Sequence, residues 1–339
     1  MNPRRSFALA AVLGSIALLA SCAGGDTGSA DDAAAGETIT VEHALGTTEI
    51  PAGVERVAAI GWGNHDAALA LGVAPVGVDD QTWSMDGSDG LGLYEWSLDA
   101  YKELGAEEPV VFDTADGVDF EAIADVQPDL ILGAHSGLSE EDYATLSEIA
   151  PVVAHPDQPW LTPWRDAIRL NAKALGKAEE GEQLVADLDQ QIADAVAAAP
   201  AIEGETAAFF SVNEADLSTI SVYAEGDSRT DFLMDLGFTA PAAAVEAAES
   251  GTFYVDISAD NADLLSDVDV IVSYGDESTL EALQAHPLWS TVPAVQRGAV
   301  VTVGAGSPLS GAVSPTALSI PWMLDEYVGL LNDAASLGQ

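Results

Sequence analysis

Basic residues are scarce: three lysines and seven arginines stand against 56 Asp and Glu, a formal net charge of −46 over 339 residues. Nucleic acid is thereby excluded as a partner, because phosphate backbones are bound by Lys and Arg that displace counterions; adsorption by charge to anionic lipid fails for the same reason. Cysteine is nearly missing. Cys22 is alone, so no intramolecular disulfide can form and the fold must be held by its core. No segment has the run of about 20 apolar residues that a transmembrane helix needs. Two catalytic signatures are also missing: no Gly-x-Ser-x-Gly elbow marks an α/β hydrolase, and no P-loop marks a nucleotide site. An enzyme is therefore not expected. What is present is foldable material, 48% hydrophobic with only 19% charged, enough for one large or two medium domains rather than a disordered acidic chain.

The chain opens with a basic head, Arg4-Arg5, and an apolar stretch from Phe7 to Ala20, then Ser21-Cys22. This is the pattern of a secretory signal. Leu19-Ala20-Ser21-Cys22 resembles the bacterial lipobox, which implies that Cys22 is lipidated and becomes the first residue of the mature chain. We therefore expect a signal peptide over 1–21 and a flexible tether over 22–37. The protein is expected to be exported and lipid-anchored on the outer face of the cytoplasmic membrane.

Beyond the tether, strand-like and helix-like stretches alternate, which predicts an α/β fold with mostly parallel sheets covered on both faces. A short hairpin is expected over Thr38–Ile50. Strands follow at Val57–Ile60, Val73–Val78, Val110–Phe112, Leu130–Leu132 and Pro151–Ala154, with helices at His65–Leu71, Asp119–Val126 and from Ser139. Thr162-Pro163-Trp164 reads as an N-cap with proline at the first helical position. A second helix, from about Ala178 to Ala199, carries Leu184, Leu188, Ile192 and Val196 at four-residue spacing and would be about 33 Å long. Strands then resume at Ala207–Val212, Ile220–Tyr223, Val268–Tyr274 and Val300–Val303, with helices at Thr230–Leu236 and Leu280–Ala285 and a helical region from Ser314. The expectation is two Rossmann-like lobes, 38–160 and 200–339, joined by a long rigid helix within a connector at 161–199, with a ligand cleft between them.

Ligands in open α/β sheets bind beyond the carboxyl ends of the strands. In the first lobe these ends carry Gly61-Trp62-Gly63-Asn64-His65; Asp79 to Trp83, opening a long loop with Tyr94 and Trp96; and Gly133-Ala134-His135-Ser136-Gly137. Trp160 lies just before the connector. In the second lobe they carry Tyr223 with Ser228-Arg229, Tyr274-Gly275, and Gly304 to Pro308. Five of the seven tryptophans, Trp62, Trp83, Trp96, Trp160 and Trp164, fall in or near these loops. Flat rings in loops suit a bulky, partly apolar ligand. Candidate ligand-binding residues are Trp62, Trp83, Trp96, His135, Trp160, Tyr223, Arg229 and Tyr274.

The ordered set of segments is similar to one family. Val54 to Gly61 with Leu69 to Val78, Asp119 to Ile123 with Gln127 to Leu132, Ile149 to Val153, Leu236-Gly237-Phe238, Pro293-Ala294-Val295 and Leu318 to Asp325 together resemble the substrate-binding lipoproteins of iron–siderophore ABC importers. That class also includes cobalamin and haem binders. Ser136 to Tyr143 resembles its actinobacterial branch. The resemblance implies two lobes with a helical joint and a cleft between them. It also implies a monomer that docks on a permease through one acidic residue per lobe, here Glu121 and Asp260; at the latter position glutamate is the more usual residue.

A ferric siderophore arrives with its iron already wrapped in oxygen ligands, so no cofactor or protein-bound metal is expected. A triply anionic catecholate complex would call for several arginines. The candidate loops offer Arg229, with Lys102 or Arg297 expected nearby, so a neutral or cationic, hydroxamate-type complex is favoured. The alternative is haem, ligated by a histidine from one lobe (His65 or His135) and a tyrosine from the other (Tyr223 or Tyr274). Capture of bare Zn or Mn by the five histidines lacks any local metal-ligand spacing.

Overall fold

The computed structural model describes residues 38–81 and 91–338; the expected signal peptide, Cys22, the tether and Trp83 lie outside them. A hairpin of β1 (Ile39–His43) and β2 (Gly46–Ile50) leads into the first α/β unit. There, β3 (Val57–Ala59), α1 (Asn64–Ala70), β4 (Gly77–Asp79), α2 (Glu95–Leu104), β5 (Val110–Phe112), α3 (Phe120–Asp125), β6 (Leu130–Leu132), α4 (Glu140–Ser147) and β7 (Val152–Val153) alternate. Two helices follow, α5 (Trp164–Ala174) and α6 (Ala178–Ala197). The second unit comprises β8 (Ala207–Ser211), β9 (Thr219–Tyr223), α7 (Ser228–Asp235), α8 (Ala242–Glu249), β10 (Tyr254–Ser258), β11 (Val270–Ser273), α9 (Glu277–Ala285), α10 (Pro293–Arg297), β12 (Val300–Thr302), α11 (Pro308–Ala312) and α12 (Ser319–Ser336). No helix among the described residues is long and apolar enough to cross a membrane.

The first sheet has the order β5-β4-β3-β6-β7 and every pairing is parallel. Its strands read as unbroken apolar runs because both faces are covered. Val57, Ala59, Leu130 and Leu132 pack on one side, and Ala58, Ile131, Phe112 and Val152 on the other. Strand order reverses between β3 and β6, so the chains leaving these two strands diverge and leave a crevice at their carboxyl ends. The strand expected over Val73–Val78 is shorter and later, β4. Pro75 lies in the expected stretch and has no N–H for the ladder.

The second sheet, β10-β9-β8-β11-β12, is mixed rather than mostly parallel. β8, β11 and β12 run parallel, whereas β9 and β10 are antiparallel to their neighbours. It too is buried on both faces. Phe209, Val272 and Val301 face α6 and α12; Phe210, Ile271 and Val222 pack with the fully buried Trp289. α8 and β10 were not expected from the sequence.

α6 packs along α5 and α12. It buries Gly181, Val185, Leu188 and Ile192, with Leu184 and Val196 only partly covered. Gly181 lets the two helices approach closely, since a Cβ there would come within 2.3 Å of Ala172 Cβ. Thr162 does not cap α5. Its hydroxyl donates instead to the Ala134 carbonyl (2.8 Å), and Pro163 occupies the cap position. Ser139 does cap α4, in a reciprocal arrangement with Asp142.

Candidate functional site

A cleft of about 780 Å³ opens at the crevice after β3 and β6. Its first wall is made of Gly61 and Trp62 after β3, Asp79, Asp80 and Gln81 at the end of β4, Thr114 to Phe120 after β5, and His135 to Leu138 after β6. The opposite wall is Tyr223 at the end of β9, Asp227, Ser228 and Arg229 at the start of α7, and Phe253 just ahead of β10. The loops Tyr274-Gly275 and Gly304–Pro308 contribute none of the lining residues, although the Tyr274 hydroxyl reaches Arg229 on that wall.

Trp160 projects into this space with 48% of its surface exposed. Its backbone has φ +62°, a left-handed conformation that costs a bulky residue on the order of 1–2 kcal/mol. The neighbouring Gly137 makes room for it: a Cβ there would stand 2.2 Å from Trp160 Nε1. The ring meets His135 edge-on at 5.8 Å. His135 is buried, and its Nδ1 donates to the Thr162 carbonyl at 2.8 Å. Burial holds its pKa below the ordinary value, the Thr162 contact opposing only in part, so the neutral ring presents Nε2 as an acceptor.

The opposite wall is an aromatic run with a cation laid over it. Phe209 meets Tyr223 at 5.9 Å and Tyr274 at 4.8 Å, and Phe253, 46% exposed, stacks beyond Tyr223. The Arg229 guanidinium lies 3.7 Å from the Tyr223 ring centre, a cation–π contact. Its Nε and Nη2 donate to Asp227 Oδ1 and Oδ2 (2.8 and 2.7 Å), and its Nη1 donates to the Tyr274 hydroxyl (2.9 Å). Burial alone would lower the Arg229 pKa; hydrogen bonding and attraction to Asp227 outweigh it and keep the group firmly charged.

On the first wall, Asp79 Oδ2 accepts from the Gly61 N–H at 2.6 Å. Burial pushes its pKa up to about 7, against the Gly61 hydrogen bond and with help from Asp80 and Asp119. The lining carries five carboxylates, Asp79, Asp80, Asp116, Asp142 and Asp227, and one guanidinium, Arg229.

Of the sequence candidates, Trp62, His135, Trp160, Tyr223 and Arg229 thus meet at the cleft. Tyr274 stands behind Arg229 as its hydrogen-bond partner rather than on the lining. Trp96 is placed elsewhere: 7% exposed, it stacks on Tyr94 (4.3 Å) and donates its Nε1 to the buried Asp66. The reason is that the expected loop around Tyr94 and Trp96 folds as α2, whose buried side carries the indole inward. Trp164 is likewise buried, donating to Asp235. His65 turns away from the cleft toward Ser97 and Asp66. Lys102 is paired with Asp99 and Arg297 with Asp269, neither on the lining. Glu121, in the first turn of α3, and Asp260, just after β10, are both exposed.

Haem ligation by a His–Tyr pair is not favoured by this arrangement. The Tyr274 hydroxyl is engaged by Arg229, and the Tyr223 ring is covered by the same guanidinium. Among the described residues, no group of three or more His, Cys, Asp or Glu side chains forms a metal site. Sequence reasoning missed Phe253, Asp227 and the Thr114–Phe120 segment. The last follows β5 and was reachable by the carboxyl-end rule.

Comparison with known proteins places this geometry. Residues 57–305 match the family model described as periplasmic binding protein. The probable siderophore-binding lipoprotein YfiY of Bacillus subtilis (strain 168) is 28% identical over 305 residues, covering 84% of this chain and 85% of YfiY. The crystal structure of Streptococcus pneumoniae TIGR4 PiaA in complex with ferrichrome superimposes with a TM-score of 0.84 at 40% identity, over 88% of this chain and 99% of PiaA. Staphylococcus aureus SirA, crystallised with staphyloferrin B, shares the fold at 24% identity, with a TM-score of 0.67 over 86% of this chain and 98% of SirA.

Proposed function

The chain belongs to the periplasmic binding protein family, a non-enzymatic transport family, and on that premise we propose that its cleft captures a ferric siderophore of neutral or cationic, hydroxamate type. The siderophore class is supported by the description of YfiY and by the ferrichrome bound to PiaA. The observation that carries the charge preference is the lining itself, five carboxylates against one guanidinium already engaged by one of them. Such a site repels a trianionic catecholate complex and tolerates a neutral or positive one. Iron arrives coordinatively saturated by the chelator. The protein contributes ring faces from Trp160, Tyr223 and Phe253 and N–H donors from Arg229, with the covered Trp62 only bordering the space.

Delivery to the permease of an ABC importer, from a lipid anchor at Cys22 on the outer face of the cytoplasmic membrane, belongs to the same reading. Glu121 and Asp260 are exposed carboxylates, one in each α/β unit, and suit docking on arginines of the permease.

The test is a tryptophan-fluorescence titration of the purified protein with ferrichrome, ferrioxamine B, ferric enterobactin and haem in parallel. Saturable quenching by the two hydroxamates is expected, with the catecholate at least about 100-fold weaker. Tight binding of the catecholate alone, or of haem alone with a shifted absorption band, would overturn the reading.

A further inference from the structure

We infer that Asp227 sets the charge selectivity of the cleft, by cancelling the charge of Arg229 while leaving it hydrogen-bond donors for the ligand. The inference rests on the siderophore reading above. Asp227 is only 4% exposed, although it lines the cleft. Both of its oxygens are engaged by Arg229: Oδ1 accepts from Nε and from the backbone N–H, and Oδ2 accepts from Nη2. This is the planar two-point pairing to which guanidinium and carboxylate are matched.

Of the five N–H groups a guanidinium owns, Asp227 takes two and the Tyr274 hydroxyl one, which leaves one on each Nη. A neutral hydroxamate or amide oxygen needs only such a donor. An anionic complex gains most from net positive charge, and here the pair has none. Asp227 therefore separates the two properties of arginine, donor geometry and charge, and keeps the first. No other Lys or Arg lines the cleft among the described residues, and the segment 82–90 has neither residue. This one carboxylate thus decides whether the wall formed by Tyr223, Arg229 and Phe253 is neutral or cationic.

The experiment uses one chelator in three charge states: ferric desferrioxamine B with its free amine (cationic), its N-acetyl form (neutral) and its N-succinyl form (anionic). Fluorescence titrations compare the wild-type protein with Asp227→Asn. Asparagine keeps an oxygen for the backbone N–H at the start of α7, as does Asp227→Ser, a second variant with a good capping residue. We expect both substitutions to raise the affinity for the anionic complex relative to the neutral one by about tenfold, and to lower that for the cationic one. Added salt should shrink the change. Arg229→Gln, which leaves Asp227 without its counter-charge, should shift the ratios the opposite way, toward the cationic complex, and the double variant Arg229→Gln/Asp227→Asn, neutral again at this pair, should return to the wild-type ratio. Equal weakening of all three complexes in the single variants, or ratios that do not move, would overturn the role of Asp227 while leaving the siderophore reading intact. Failure of the wild-type protein to bind any of the three would overturn the hydroxamate reading itself, and this inference with it.

Discussion

At the seam between the two α/β units, Trp62, Tyr94, Trp96 and Trp322 form one continuous aromatic cluster; at the cleft, Trp160 stands beside His135 on one wall, and Tyr223 and Phe253 stack on the other. The residue types are the same and the surroundings are opposite. Indole N–H groups at the seam are held by protein acceptors: Trp62 donates to the Ser314 carbonyl, Trp96 to Asp66 and Trp322 to Glu95. Asp66 also accepts from Ser97 and from Thr316 of the C-terminal segment, so its buried carboxylate ties α1 to a stretch 250 residues away. Gly311 and Gly63 complete the fit, each without a Cβ where Tyr94 or Thr316 approaches. In the cleft, by contrast, Trp160 and Phe253 are about half-exposed, and Trp160 sits on a strained backbone. An aromatic ring that is fully hydrogen-bonded and covered is stabilising the fold. One held half-exposed at a cost to the backbone is being kept for a ligand.

Substitution of one indole on each side breaks this comparison if it is wrong. Trp96→Ala should lower the unfolding free energy by about 3–5 kcal/mol, through a buried cavity and the loss of one donor to Asp66. Folded protein at low denaturant should still bind ferrichrome within about threefold of wild type. Trp160→Ala should do the reverse: ferrichrome affinity falls by about tenfold to 100-fold, while the urea midpoint barely moves, because little packing is lost and the left-handed strain remains. Urea denaturation and fluorescence titration of both variants read the contrast directly. A Trp160→Ala protein that unfolds easily yet binds normally would move Trp160 into the structural class.

Much of this arrangement is legible from the sequence. The first sheet is, because strands such as Val57–Ala59 and Leu130–Leu132 are buried on both faces and therefore apolar throughout. The edge strand β10 is not. Tyr254 and Asp256 are exposed, its run is short, and nothing distinguishes it locally from a loop. That omission hid Phe253, which lines the cleft only because it precedes a strand. Trp62, His135, Trp160, Tyr223 and Arg229 were reachable from the carboxyl-end rule, since their positions depend on strand ends and loops. Trp96 was misplaced because α2 begins beside a Gly- and Asp-rich stretch and reads as its continuation, although Glu95, Lys102 and Gly105 supply ordinary helix-end chemistry. Asp227 could not have been singled out, being one acid among 56. Only its bonding to Arg229 gives it meaning.

The smallest expected effect sharpens the comparison between two acids, the buried Asp66 and the half-buried Asp79. Asp66 at the seam collects donors from three side chains, whereas Asp79 at the cleft has one backbone donor, Gly61, and acidic neighbours. The Asp79 pKa of about 7 lies above the ordinary 3.8. Between these values the native state holds a proton that the unfolded chain has released, so stability falls as pH rises from about 4 to about 7 and is level above. Asp79→Asn mimics the protonated form and escapes that loss. Its advantage over wild type should be near zero at pH 4 and grow to about 1–2 kcal/mol by pH 8, a value discounted for the partial exposure of the side chain. Asp231, raised to about 6 chiefly by burial, and His135, lowered by burial, titrate in both proteins and cancel in the difference. Thermal unfolding of the pair from pH 4 to pH 8 measures it. Parallel curves would mean that the cleft carboxylate is as well satisfied as the one at the seam, and the electrostatic half of the contrast would fail.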